Sequence, residues 1–238
     1  MILLTGRGRG YIVPRPRQNE TAFHPMILKF VAHSGRVLRI ARRFGWLPGA
    51  RYTNLRDVRD FERIGFLDIE WKDYCFKRHL EAVKATRPMV TVARDIHDPR
   101  SLQKILDQAC ELNLHSERVI IVPKHPSLRN KLDTLIPKRF WLGYSVPTRY
   151  GGTTIPPSFF KRPVHLLGGR PDVQRRLAEI MPVVSLDCNR FTLDAAFGDY
   201  FDGDKFRPHP AGGYERCIRD SLKHINSIWK NYHVHGAR

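Results

Sequence analysis

The chain has 238 residues and a mass of 27.7 kDa, room for one large domain or two small ones. Its 41 Lys and Arg against 23 Asp and Glu give a formal net charge of +18, which points to a polyanion as partner. Hydrophobic residues at 42 % and aromatics at 11 % exclude a wholly disordered chain. No apolar run approaches the ~20 residues that span a bilayer, and the start MILLTGRGRG is too short in apolar residues for a secretory signal, so a soluble cytoplasmic protein is expected.

The basic excess is concentrated at the start. Residues 1–63 hold 13 Lys and Arg against 4 acids, a surplus of nine. Arg36, Arg39, Arg42 and Arg43 stand three and four apart, so a helix there would gather them on one face and turn Val37, Leu38 and Ala41 inward. That face suits DNA phosphates, or simply solvent. No homeodomain, zinc-finger or RNP signature is present.

From residue 64 onward short β-rich runs recur: 64–68, 89–95, 118–124, 140–146, 163–169 and 183–187. Their polar or glycine tips lie 19 to 29 residues apart. Helix-like stretches fall between them at 74–84, 101–112 and 171–180, the last with Pro171 where a first turn tolerates proline. Two fainter strands, 26–31 and one near Trp46, would bring the total to eight. The expected fold is a compact (β/α)₈ barrel of TIM type, one domain over 1–238, with an open doubly wound sheet as the alternative. In that division 1–63 is a basic N-terminal part and 64–190 the recognisable strands. Residues 202–213 read as an irregular loop, and 214–232 as a closing helix carrying Ile218, Leu222, Ile225 and Trp229.

A parallel barrel collects its strand tips at one mouth. Asp68, Asp95 and Asp187 all stand at such tips, where each alone could be a helix cap. Together, mutual repulsion and partial burial would keep one protonated beside an ionised neighbour, the state that glycosidic chemistry requires. Gly143 and Gly168 leave backbone open to a planar ligand or form tight turns, and 150–157, YGGTTIPP, reads as a mobile loop whose Thr hydroxyls could touch phosphate. No cofactor motif is present. Cys75, Cys110, Cys188 and Cys217 form no C-x-x-C pair, and the spacing of His224, His233 and His235 fits no metal site.

Residues 164–189, VHLLGGRPDVQRRLAEIMPVVSLDCN, resemble the tRNA-guanine transglycosylase segment in which a YLMGVGTP strand and turn leads through a helix to a strand ending FDCVLPTR. The resemblance implies that Asp187 is the covalent nucleophile. Gly143-Tyr144-Ser145-Val146 is similar to the family's GGLSVGE, whose backbone meets the bound base, and Asp95 in VARDI to the purine-reading Asp of MAFDEC. Asp68 in GFLDI matches the general acid/base of SDSGGFQ without the following SGG, and Lys124 stands where the family has the Gln of IVQGG. The C-x-C-x-x-C zinc module is absent. The chain, with its VPTRYGG and HLLGG blocks, is most similar to the zinc-poor 7-deazaguanine DNA transglycosylases of phages and bacterial DNA-modification clusters.

That resemblance implies replacement of guanine in DNA by a base such as 7-cyano-7-deazaguanine. Leu167 and Tyr144 would lie against the base, and Arg36, Arg39, Arg42, Arg43 and Arg149 on the DNA backbone. A tRNA-type enzyme, a nucleic-acid glycosidase and a non-catalytic DNA-binding subunit remain alternatives at this point.

Overall fold

A computed structural model of the chain describes residues 27–149 and 151–234. Eight parallel strands close into a barrel: β1 (Leu28–Ala32), β2 (Leu47–Arg51), β3 (Phe66–Asp68), β4 (Val90–Val92), β5 (Arg118–Ile121), β6 (Trp141–Ser145), β7 (Val164–Leu167) and β8 (Val183–Asp187). Closure is made where Phe30 of β1 pairs with Asp187 of β8. The (β/α)₈ expectation holds, and the two fainter strands expected before residue 64 are present as β1 and β2 of the closed barrel. Arg7, Arg9, Arg15 and Arg17 lie outside the described residues.

Helices α1 (Gly35–Arg42), α2 (Phe76–Thr86), α3 (Leu102–Asn113), α4 (Leu132–Leu135), α5 (Pro171–Leu177), α6 (Arg190–Ala196) and α7 (Tyr214–Trp229) connect and cover the strands. Three of them bury the apolar stripe that their spacing provides: Val37, Leu38 and Ala41 in α1, Ile105, Leu106, Ala109 and Leu112 in α3, Ile218, Leu222, Ile225 and Trp229 in α7. The segment expected to be an irregular loop after residue 202 instead holds a strand. Asp199–Phe201 (β9) and Phe206–Pro208 (β10) form an antiparallel pair outside the barrel, fixed to α7 by the Phe201 N–H donating to Ser221 Oγ at 2.9 Å.

Helix α7 and the residues after it are fastened to the barrel at the ends of its strands away from the mouth. Trp46 Nε1–H donates to Asn226 Oδ1 at 3.1 Å, and the Val183 N–H at the start of β8 donates to the Tyr232 hydroxyl at 2.9 Å. Inside the barrel the rings of Phe30, Phe66 and His165, from odd-numbered strands, form one layer with centroids 5.0 to 5.9 Å apart. Alternate strands supplying a layer is how such barrels fill their interior. No helix among the described residues is long and apolar enough to cross a membrane.

Candidate active site

The layer of Phe30, Phe66 and His165 is the floor of the site. Side chains alternate along a strand, so the inward residue two positions beyond Phe66 is Asp68 and the one two beyond Ser185 is Asp187. Above them opens a cavity of about 600 Å³, within the range of small-molecule sites. Asp68, Asp95, Lys124, Leu167 and Gly168 line it, five of the residues singled out in the sequence, together with Trp71, Arg94, His97 and Ser145.

Asp187 lies beneath the cavity, only 8 % exposed. Its Oδ1 accepts from the Gly168 N–H at 3.0 Å and stands 3.4 Å from His165 Nε2. Gly168 presents that N–H from a left-handed backbone at φ 61°, and Gly169 continues the turn at φ 91°. Gln174, on the first turns of α5, staples the turn by donating through Nε2 to the carbonyls of Gly168 (2.7 Å) and Asp187 (2.8 Å). The sequence HLLGG followed by a proline-started helix thus builds a rigid cradle for one carboxylate.

Asp68 is held differently. Burial, then the neighbouring Asp187 charge and more weakly Asp95, push its carboxyl up to about 7. The Ile69 N–H, which donates to Oδ1 at 2.8 Å, and the Arg51 guanidinium oppose that rise without cancelling it. Asp68 is therefore a carboxylic acid able to hold and release a proton near neutrality, beside a second carboxylate bound by a backbone donor. The two carboxyl groups thus sit in different environments, Asp68 buried beside a like charge and Asp187 bonded to the Gly168 N–H.

Asp95 pairs with Lys124 in the cavity wall, with Lys124 Nζ 2.8 Å from Oδ2 and His97 Nε2 3.7 Å from the same oxygen. The pair offers a planar ligand a donor and an acceptor side by side. Trp71, 65 % exposed, stands at the rim with Lys72 Nζ 5.3 Å from its ring centroid.

Several expected roles fall elsewhere. Tyr144 is buried with its ring edge-on to Phe160, centroids 5.2 Å apart, so its side chain does not line the cavity; Gly143 and Ser145 are the inward residues of β6. A Cβ on Gly143 would come within 2.6 Å of Ile120 Cγ2 and 2.7 Å of Val122 Cγ2, so this glycine makes room for core packing below the mouth. Thr153 Oγ1 accepts from the Ser145 N–H at 3.0 Å, and Thr154 Oγ1 donates to the Lys124 carbonyl at 2.7 Å. These hydroxyls clamp the loop to β6 and the end of β5 rather than await phosphate, and Gly151 and Gly152 line the cavity. Tyr150 lies outside the described residues.

Arg36, Arg39, Arg42 and Arg43 are exposed, as their spacing suggests, but they do not ring the mouth. Helix α1 starts beside the mouth and runs away from it for about 12 Å at 1.5 Å per residue, leaving Arg42 and Arg43 near the opposite end. Arg36 itself pairs with Glu215 of α7. Arg149 is exposed next to Thr148, a residue of the cavity wall.

Buried Cys188 is pushed up to about 12 chiefly by burial and remains a thiol, so it offers no nucleophile beside Asp187. The four cysteines are free, and among the described residues no group of three or more His, Cys, Asp or Glu is placed to hold a metal. Sequence reasoning did not assign roles to His165, Gln174, Trp71 or Arg94. A lone histidine two residues before Leu167 in an apolar strand was the available signal for the first.

A search of curated proteins finds no match. A family match extends over residues 41–230, from β2 through α7, and so takes in Asp68, Asp95, His165, Gln174 and Asp187. On that extent of match the chain belongs to the family of unknown function DUF6610.

Proposed function

We propose that this barrel exchanges a purine at a glycosidic carbon of DNA, releasing guanine and installing a 7-deazaguanine base. The observation that carries the reading is the pair of unequal carboxyls at one mouth, Asp68 raised to about 7 and Asp187 held by the Gly168 N–H. The net charge of +18, Arg94 in the cavity wall, and Lys72 and Arg149 next in sequence to the wall residues Trp71 and Thr148 favour a polyanionic substrate.

In the first half-reaction the ionised Asp187 attacks C1′ as the C1′–N9 bond breaks. The bond's electron pair leaves with guanine, and the proton of Asp68 neutralises it. A covalent ester joins the sugar to Asp187. The Asp68 carboxylate then removes the N9 proton of the incoming 7-deazaguanine, whose N9 attacks C1′ and expels Asp187. Two inversions retain the sugar configuration, and Asp68 ends protonated as it began. The target nucleotide must leave the stack to reach a carboxylate beneath a cavity, and contacts with Leu167 and the Asp95–Lys124 pair offset the few kcal/mol of unstacking.

Trapping tests the covalent step. Protein incubated with a guanine-containing single-stranded oligonucleotide and then denatured should carry one oligonucleotide per chain by mass. The Asp187→Asn variant should carry none. An adduct of equal yield in that variant would remove Asp187 from the mechanism.

A further inference from the structure

We infer that His165 is the positioning residue that fixes which oxygen of Asp187 attacks, an assignment that rests on the nucleophilic role proposed above for Asp187. His165 is fully buried in the centre of the barrel, stacked on Phe66 at 5.0 Å and tilted against Phe30 at 5.9 Å. Neither ring nitrogen can reach water, so both must be satisfied within the protein. Nε2 stands 3.4 Å from Asp187 Oδ1, and Nδ1 2.8 Å from Ser185 Oγ.

The polarity follows from what each partner can do. An ionised carboxylate only accepts, so the histidine proton belongs on Nε2. Nδ1 then accepts, and the Ser185 hydroxyl donates to it. The Gly168 N–H donates to the same Oδ1. Oδ1 is thus held by two donors from β7 and its turn, while Oδ2 accepts no hydrogen bond among the described residues. The unheld oxygen keeps its full nucleophilicity, and the two bonds set its direction.

Alternation explains why the contact exists. His165 and Ser185 pair across β7 and β8, both inward, and Asp187 is the next inward residue of β8. An apolar residue at 165 would fill the layer equally well. A polar ring there serves the carboxylate above it.

Two variants separate position from packing. His165→Phe keeps an aromatic ring on Phe30 and Phe66 and removes the donor. His165→Gln places an amide N–H where Nε2 stood. With a guanine-containing oligonucleotide and 7-cyano-7-deazaguanine, His165→Phe should lower kcat by roughly 10- to 100-fold, the worth of one hydrogen bond to a charged group, with KM within about threefold. His165→Gln should recover most of kcat. A Phe variant as fast as wild type, or both variants equally slow with unchanged melting temperature, would overturn the assignment.

Nitrogen-15 spectra of the histidine rings give a reading independent of turnover. In the wild-type protein His165 should show the Nε2–H tautomer, with its ring proton signal moving in Asp187→Asn. An Nδ1–H tautomer indifferent to Asp187→Asn would refute the contact. Absence of exchange in the wild type would refute the proposed reaction, and these spectra would still decide whether His165 holds Asp187.

Discussion

Replacing Asp68 by Asn should stabilise the protein at alkaline pH and do nothing at acid pH. The native carboxyl holds its proton to about 7, against an ordinary value of 3.8, because burial and the Asp187 charge disfavour ionisation. Between those values the native state binds more protons than the unfolded chain, so stability falls as pH rises from about 4 to about 7. Above about 7 the full cost is present. A rise of about three pH units corresponds to about 4 kcal/mol at 1.36 kcal/mol per unit, an upper figure because Asp68 keeps some exposure. The amide introduced by Asp68→Asn cannot ionise, and its Oδ1 can still accept from the Ile69 N–H. Urea unfolding at pH 4, 6 and 8 should show the Asp68→Asn advantage growing from near zero to about 2–4 kcal/mol, and a melting temperature at pH 8 roughly 5 to 15 °C higher. A variant less stable than wild type at pH 8, or a difference independent of pH, would refute the claim that Asp68 is a strained acid.

The same proton governs rate: formation of the covalent adduct should decline above about pH 7 as Asp68 ionises, and Asp68→Asn should remove that decline along with most of the activity, read by single-turnover trapping across pH. Gly169→Ala should cost about 2–4 kcal/mol of stability, because its backbone is left-handed and the new Cβ would lie 2.5 Å from Val146 Cγ1; Gly168→Ala, left-handed with open space around it, should cost about 1–2 kcal/mol, both measured by denaturant unfolding. Trp71→Ala should weaken binding of a single-stranded oligonucleotide by about 5- to 100-fold, the worth of one stacked base, while leaving the melting temperature within about 1 °C, since Trp71 is exposed; fluorescence anisotropy gives the first and thermal unfolding the second.

The fold was legible because βα alternation leaves a strong record. Strands β3 to β8 coincide with six β-rich runs that end in a polar or glycine tip, β1 and β2 with the two fainter ones, and α3 lies within one residue of its expected span at each end. Helix α6 was not legible: seven residues, RFTLDAA, are too few to show a helical period. Nor was the β9–β10 pair, whose three-residue strands show no alternation and whose existence depends on packing against α7. In the site, Asp68, Asp95, Lys124 and Asp187 could be found because tips announce the mouth. Tyr144 and His165 show the limit. Both faces of a parallel barrel strand are buried, so apolar content does not reveal which parity points inward. In β6 that parity sends Tyr144 to Phe160 and leaves Ser145 at the cavity; in β7 it sends His165 to the centre. The basic helix α1 was correctly read as exposed, yet only the topology shows that its far end turns away from the mouth.

The most direct measurement of the account is mass spectrometry of nucleosides digested from DNA after incubation with purified protein and 7-cyano-7-deazaguanine, run beside tRNA and beside Asp187→Ala. A deazaguanine deoxynucleoside formed in DNA by the wild type and absent with Asp187→Ala is the expected result. Product in tRNA alone would contradict the DNA assignment, and DNA bound tightly without product in either nucleic acid would contradict the exchange reaction itself.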